Sequence, residues 1–291
     1  MTDSAGGANR LGQGIEAMQG APRDRPDAER KSPWRFAWWL VFIAGTLYFF
    51  LPLLGTFAFS LRAQPFGSAY TGILDDPQFF STLGYSFVVG FITIIVSIGI
   101  ILPTAFWVRL RLPRARPYIE FITLLPFVVP PIVLVFGLIQ TYSRPPLPFT
   151  HTSIGSTALL VCAYVVLSFP YMYRAIDTGL RSIDVQSLTE AAQSLGAGWI
   201  RILAQVIFPN LRVSLLSGAF LTLAIVVGEF TVALFLARPV FAVYLSRLGD
   251  SAPYQQSAVA LISFGLTWIA MGFIAVLGRG GRSRVPITGA R

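Results

Sequence analysis

Six long apolar stretches dominate the sequence and constrain its fold more than any other feature. A helix needs about 20 apolar residues to cross the hydrocarbon core of a bilayer, and each stretch reaches or nearly reaches that length. In lipid every backbone amide must be bonded within its own segment, and the stretches lack the polar–apolar alternation of barrel strands. We therefore predict an all-α, polytopic membrane protein with six transmembrane helices. The stretches are residues 36–59, 82–108, 118–140, 155–173, 213–236 and 257–277.

The scarcity of charged and reactive side chains excludes many enzyme classes. Only 12% of the 291 residues are charged, whereas soluble proteins contain about 25%. The chain holds one cysteine, Cys162, one histidine, His151, and one lysine, Lys31. These residues cannot form a disulfide framework or a Cys/His zinc site, and no GxxxxGK(S/T) phosphate-binding loop occurs. We therefore expect no catalytic residue, no metal site and no cofactor within this chain.

The distribution of basic residues predicts the orientation in the membrane. Of the 22 Lys and Arg residues, 18 lie in the segment before residue 36, in the loops 109–116 and 174–212, or from residue 279 onward. These four regions fall on one side of the predicted spans, so the positive-inside rule places both termini in the cytoplasm. The pI of about 10.2 then reflects topology, because the basic residues are dispersed at membrane edges. We expect membrane lipid, and no nucleic acid, as a partner.

The predicted domain organisation is a single membrane domain between two tails. Residues 1–33 are polar and rich in Gly, Pro, Arg and Asp without apolar periodicity, which predicts a disordered cytoplasmic tail. Their charged stretch is too long for a signal peptide. Residues 34–277 form the six-helix domain, and residues 278–291 form a cytoplasmic C-terminal tail.

The cytoplasmic loop 174–212 is too long for a simple connector and carries helical periodicity. We predict two short amphipathic helices, with a break at Gly196 and an end at Pro209. Such helices could lie on lipid, but Ala191, Ala192 and Gly196 form a small-residue surface that suits close docking against protein. The two apolar stripes are Leu188, Ala191, Ala192 and Leu195, then Trp199, Ile202, Leu203 and Val206.

This loop resembles the EAA loop of binding-protein-dependent ABC importer permeases, whose pattern is EAA-x3-G-x9-I-x-L-P. The matching residues are Glu190, Ala191, Ala192, Gly196 and Pro209 at the same spacing. The two departures, Val206 for Ile and Phe208 for Leu, both keep an apolar residue. The resemblance extends over all six spans and implies the MetI-like permease fold in a bacterial inner membrane.

The resemblance also implies partners and a role for each residue of the motif. The loop 184–210 would be a coupling helix seated on a cytoplasmic ABC ATPase dimer, which carries the ATP and Mg²⁺. Glu190 would pair with a basic residue of that ATPase, Ala191 and Ala192 would permit close approach, and Gly196 would make the turn. A second permease subunit, homologous or identical, and an extracytoplasmic solute-binding protein would complete the importer.

Proline and acidic residues within the spans are candidates for a translocation pathway. Pro130 and Pro131 in the third stretch either kink the helix for packing or break it where it lines a pathway. Glu229 is the one acidic residue deep in a span, on a small, polar face that includes Thr222. It could form interhelical hydrogen bonds or contact a cationic solute, and both interpretations stay open.

The third stretch resembles that of polyamine, ferric-iron and sulfate-type permeases. Together with Glu229 this favours a polyamine-type solute, with ferric iron, sulfate and phosphonate as alternatives. The rival class is a stand-alone secondary transporter, which would show broken helices at matching positions of both halves. The fifth stretch contains no proline to match the third, so we expect an importer subunit.

Overall fold

The computed structural model describes residues 34–279, and every regular element in that range is helical. This confirms the all-α prediction. The predicted tail 1–33 and residues 280–291 lie outside the described residues. The helices are α1 (Trp34–Ser60), α2 (Ser68–Leu74), α3 (Pro77–Arg111), α4 (Arg116–Val128), α5 (Pro131–Tyr142), α6 (Ser153–Arg181), α7 (Val185–Ser194), α8 (Trp199–Asn210), α9 (Arg212–Gly228), α10 (Thr231–Phe235), α11 (Phe241–Ser251) and α12 (Pro253–Arg279).

The chain divides into two compact units, Met1–Leu54 and Gly55–Arg291. Helix α1 crosses the boundary between the units, and its residues up to Leu54 expose large apolar side chains, with Tyr48 at 85% and Leu51 at 68% exposure. All helices from α2 onward belong to the second unit.

Three described helices are long and apolar enough to cross a membrane, namely α1, α3 and α6. Two sharply bent pairs, α4 with α5 and α8 with α9, raise the number to five if each pair is one span. The sixth predicted stretch, 257–277, lies within the 27-residue helix α12. The count of six spans stays a prediction.

The third predicted span is broken rather than kinked. The axis turns by 94° between the segment that ends at Val128 and the helix that starts at Pro131. Val129 and Pro130 are extended, with ψ of 113° and 139°. Proline disfavours the helical conformation of the residue before it. Pro130 therefore extends Val129, and Pro131 extends Pro130, which ends α4.

The prediction of one continuous helix over 213–236 is wrong. Helix α9 ends at Gly228, Glu229 is extended with φ −77° and ψ 121°, and α10 begins at Thr231. No proline causes this break. The Glu229 carboxylate accepts hydrogen bonds from the backbone N–H groups of Val232 and Ala233, at 2.9 and 3.4 Å. A side chain therefore satisfies donors that a continuous helix would satisfy with backbone carbonyls.

Helices α3, α6 and α9 pack closely in the centre of the second unit. The hydroxyls of Ser97 on α3 and Ser168 on α6 are fully buried and lie 2.9 Å apart. Between α6 and α9, a Cβ added at Gly179 would meet the Ser214 Cβ at 2.7 Å. In lipid the hydrophobic effect does not drive helices together, so close packing at small residues and interhelical hydrogen bonds stabilise their association.

Candidate functional site

The loop after α6 forms a capped helix, α7, as its sequence predicts. Asp184 accepts hydrogen bonds from the backbone N–H and the hydroxyl of Ser187, at 3.2 and 2.6 Å. The Ser187 hydroxyl, and then its backbone N–H, hold the pKa of Asp184 below its ordinary value. At the other end Gly196 has φ +78°, and the N–H of Ala197 bonds the carbonyl of Ala192 at 3.0 Å. This is a Schellman motif, which needs a residue in the left-handed conformation, and it confirms the predicted break.

The face of α7 that packs against the protein differs from the predicted stripe. Val185, Thr189 and Ala192 are buried, whereas Ala191 is exposed and Leu195 is 88% exposed. Ala192 therefore packs within this chain and is not available at the surface. The buried face of α7 is therefore rotated about the helix axis from the predicted apolar stripe, by about the angle between successive residues.

The second helix of the loop, α8, packs as predicted. Ile202 is fully buried, and Trp199, Leu203 and Val206 pack against the same core cluster. The Trp199 ring lies 5.0 Å from that of Trp107 on α3. Pro209 is exposed in the last turn, and the axis bends by 81° between α8 and α9. The segment Ile202–Ile207 is π-helical.

The loop exposes apolar side chains that no residue between 34 and 279 buries. We define the tip surface as Glu190, Ala191, Leu195, Gly196 and Ile200, all of which are exposed, with Ile200 at 85%. Among the described residues the Glu190 carboxylate accepts one hydrogen bond, from Gln186 at 2.9 Å, and forms no ion pair. An exposed apolar patch beside an unpaired carboxylate is typical of an interaction surface.

The two breaks in the spans line one cavity. Pro130, Pro131 and Glu229 all contribute to a cavity of about 310 Å³, together with Tyr171 of α6. Tyr171 and Phe127 also line a second cavity of about 520 Å³. The structure therefore brings together three of the four residues predicted for a pathway.

The second cavity shares lining residues with a third, so the three cavities are neighbours along α6. Arg174 and Thr178 line both the second cavity and a third of about 360 Å³, which also contains Asp177 and Arg181. We call this series of cavities the α4–α6–α9 groove. It runs from the two breaks to the end of α6 that precedes the loop. Thr222, the fourth predicted residue, is fully buried in α9 and does not line these cavities.

The Glu229 carboxylate accepts its hydrogen bonds from backbone N–H groups of the residues that follow it in the chain. Its oxygens accept from the Val232 N–H at 2.9 and 3.1 Å, which places the charge at the start of α10. The carboxylate also lines the first cavity, so contact with a solute stays a prediction. Among the described residues no group of three His, Cys, Asp or Glu could hold a metal ion.

Known proteins similar to this chain are transport permeases. A model of the family "binding-protein-dependent transport system inner membrane component" matches residues 95–280. A probable molybdenum ABC transporter permease of Haloferax volcanii is 27% identical over 245 residues, which are 80% of this chain and 86% of the relative. A probable sulfate transport permease of Prototheca wickerhamii is 27% identical over 64% of this chain and 75% of its own length. The molybdenum permease ModB of Escherichia coli is 32% identical over 42% of this chain and 56% of its own length.

A solved structure shares the fold. The crystal structure of a bacterial ABC transporter that imports alginate contains a chain with a TM-score of 0.66 at 15% identity, over 94% of this chain and all of that one. This likeness agrees with the predicted MetI-like permease fold. The match over residues 95–280 shows that the chain belongs to the binding-protein-dependent inner-membrane permeases, the transport subunits of ABC importers whose ATP hydrolysis lies on a separate subunit.

Proposed function

We propose that this chain passes a small oxyanion of the molybdate, sulfate or phosphonate type from a solute-binding protein into the cytoplasm. A cytoplasmic ABC ATPase dimer would dock on the tip surface and supply the energy. The tip surface carries this proposal, because Glu190, Leu195 and Ile200 are exposed on a loop whose other face is buried in the protein.

The loop is packed so that a force on the tip surface would reach the spans. Ala192 of α7 and Ile202 of α8 belong to one core cluster with Phe106 of α3, Ile176 of α6 and Leu215 of α9. Close-packed interiors transmit displacements because they contain little free volume. Closure of the ATPase dimer would therefore rock α3, α6 and α9 together, as in rigid-body switching.

The α4–α6–α9 groove is the proposed translocation pathway. Both broken spans meet in its first cavity, at Pro130–Pro131 and at Glu229. Non-helical backbone is tolerated at membrane depth where it lines a cavity, which is the situation at these two breaks. A second permease subunit, homologous or identical, would supply the opposite wall.

The oxyanion class rests on the names of the relatives, and the geometry of Glu229 adds no support for a polyamine. The relatives carry molybdenum, sulfate or 2-aminoethylphosphonate in their names, and the Glu229 carboxylate is occupied by backbone N–H groups. Neither favours the polyamine expected from the sequence. We therefore replace that expectation with an oxyanion.

A secondary transporter is expected to have broken helices in both halves, and the fifth predicted span is broken as the third is. This alternative therefore needs a direct test. The test is ATP-dependent uptake of molybdate, sulfate and 2-aminoethylphosphonate into proteoliposomes that contain the complete importer. We expect Gly196→Asp to insert normally and to abolish uptake, because it adds a charged side chain to the tip surface and strains the left-handed turn at φ +78° that ends α7. Gly198→Ala is the matched control, since Gly198 has φ −76° and no atom within 4 Å of an added Cβ. Normal uptake by Gly196→Asp, or uptake that needs an ion gradient and no ATP, would contradict the proposal.

A further inference from the structure

Four charged side chains meet where α4 begins and α6 ends. One carboxylate oxygen of Asp177, Oδ2, accepts from Arg116 Nη2 at 3.0 Å and from Arg181 Nη2 and Nε at 2.7 and 2.9 Å. Arg116 Nε also donates to Glu120 Oε1 at 2.9 Å. We call these four residues the Asp177 cluster. The Asp177 side chain is only 16% exposed, the least of the four.

The cluster is the charged attachment of α4 to α6 among the described residues. Thr123 is the one buried residue of α4, and the helix is also held by Ile119, which packs against the core cluster, and by Phe127, whose ring lies 5.4 Å from that of Tyr171 on α6. Asp177 joins two arginines from different helices, and a partly buried carboxylate with several donors binds them more firmly than an isolated surface pair would.

The position of the cluster links the loop to the groove. Arg181 is the last residue of α6, and Asp184, three residues later, caps α7. Arg116 is the first residue of α4, whose other end is the 94° break that lines the groove. The cluster therefore connects the end of α6 that leads to the tip surface with α4, which forms a wall of the groove, in addition to the apolar contact that Ile119 of α4 makes with the core cluster.

We propose that Asp177 is a positioning residue that couples α4 to α6, so that movement of the tip surface opens and closes the α4–α6–α9 groove. This inference rests on the proposed function of the loop and the groove. Without the Asp177 charge, Arg116 and Arg181 would lose their shared acceptor, and α4 would be free to move about the break at Val129–Pro130. ATP hydrolysis would then continue without moving the wall of the groove.

The test uses the complete importer in proteoliposomes, with molybdate and sulfate as probes. It measures ATP hydrolysis with and without solute-loaded binding protein, and uptake per ATP hydrolysed. We expect Asp177→Asn and Arg116→Gln to keep the ATPase bound and its basal ATP hydrolysis unchanged, while the stimulation of hydrolysis by loaded binding protein and the uptake per ATP hydrolysed each fall at least fivefold. Arg116→Lys, which keeps the charge, should recover most of the coupling. Arg114→Gln removes a charge from the same loop outside the cluster and should match the unmodified protein.

The Arg116 variants distinguish a positioning role from direct contact with solute. Asp177 lines the third cavity, whereas Arg116 does not. Unchanged coupling in Arg116→Gln would overturn the inference, even if Asp177→Asn fails to assemble. Equal losses in Arg114→Gln and Arg116→Gln would overturn it as well. If the unmodified complex hydrolyses ATP without uptake, the proposed function fails first and the inference fails with it.

Discussion

Glu229 illustrates how a membrane-spanning segment accommodates a carboxylate without a basic partner. Among the described residues it forms no ion pair, and its oxygens bond the N–H groups of Val232 and Ala233. Those donors are the ones that the start of any helix leaves without an acceptor. The charge also suits the positive end of the α10 dipole.

Glu229→Gln should therefore affect stability more than selectivity. One amide oxygen can still accept from Val232, but the charge that strengthens the bond is lost, which costs about 1 kcal/mol. We expect a lower midpoint of thermal unfolding in detergent and an unchanged preference between molybdate and sulfate in uptake. Glu229→Ala, which removes both acceptors, should lose more stability. A changed preference at an unchanged midpoint would assign the carboxylate to the solute instead.

At the scale of elements, the crossing of α6 and α9 depends on the absence of a side chain at Gly179. An added Cβ would meet the Oγ and Cβ of Ser214 at 2.5 and 2.7 Å. The Ser214 Cβ is fixed to the backbone, so the helices themselves must move apart.

Gly179→Ala is expected to destabilise the protein by about 1–3 kcal/mol, the usual cost of overpacking. Gly99→Ala on α3 is the matched control, because no atom lies within 4 Å of its added Cβ. Thermal unfolding of the two purified variants measures the difference. Equal midpoints would show that α6 and α9 are less closely packed than the structure has them.

The cap of α7 gives a second prediction for an element. Asp184→Ala removes both hydrogen bonds to Ser187, whereas Asp184→Asn keeps an acceptor oxygen of similar capping strength. We expect the Ala variant alone to retain less ATPase during purification, because a frayed α7 misplaces Glu190. Since the pKa of Asp184 is lowered, the cap contributes fully above the ordinary aspartate pKa and is lost only as pH falls through the lowered value. Equal ATPase retention by the two variants would show that the cap does not position the tip surface.

The two broken spans show what sequence could and could not predict. The break at Val129–Pro130 follows from the local chemistry of consecutive prolines, so it was among the predicted alternatives. The break at Glu229 depends on a side chain that folds back onto backbone N–H groups, and no residue type there forbids a helix. The face of α7 was also mispredicted, because the core beneath it selects Val185 and Thr189 over the more apolar Leu188 and Leu195.

At the scale of the whole molecule, the family and the fold agree with the sequence-based prediction, whereas the solute class that we propose differs from the expected polyamine. The EAA spacing could be recognised because Glu190, Gly196 and Pro209 occur at fixed positions in one continuous segment. The groove is assembled from residues far apart in sequence, such as Pro130, Tyr171 and Glu229. The sequence identified Pro130 and Glu229 as candidates. It could not predict that they line the same cavity or that the Glu229 carboxylate bonds backbone N–H groups.

The most direct test of the central claim is to identify what this chain binds. The tagged chain would be purified from gently solubilised native membranes, and the co-purifying proteins identified by mass spectrometry. We predict recovery of a P-loop ATPase, with loss of that subunit in Glu190→Ala and retention in Gly198→Ala. Recovery of the chain without any ATPase, together with uptake driven by an ion gradient alone, would contradict the account and favour a secondary transporter.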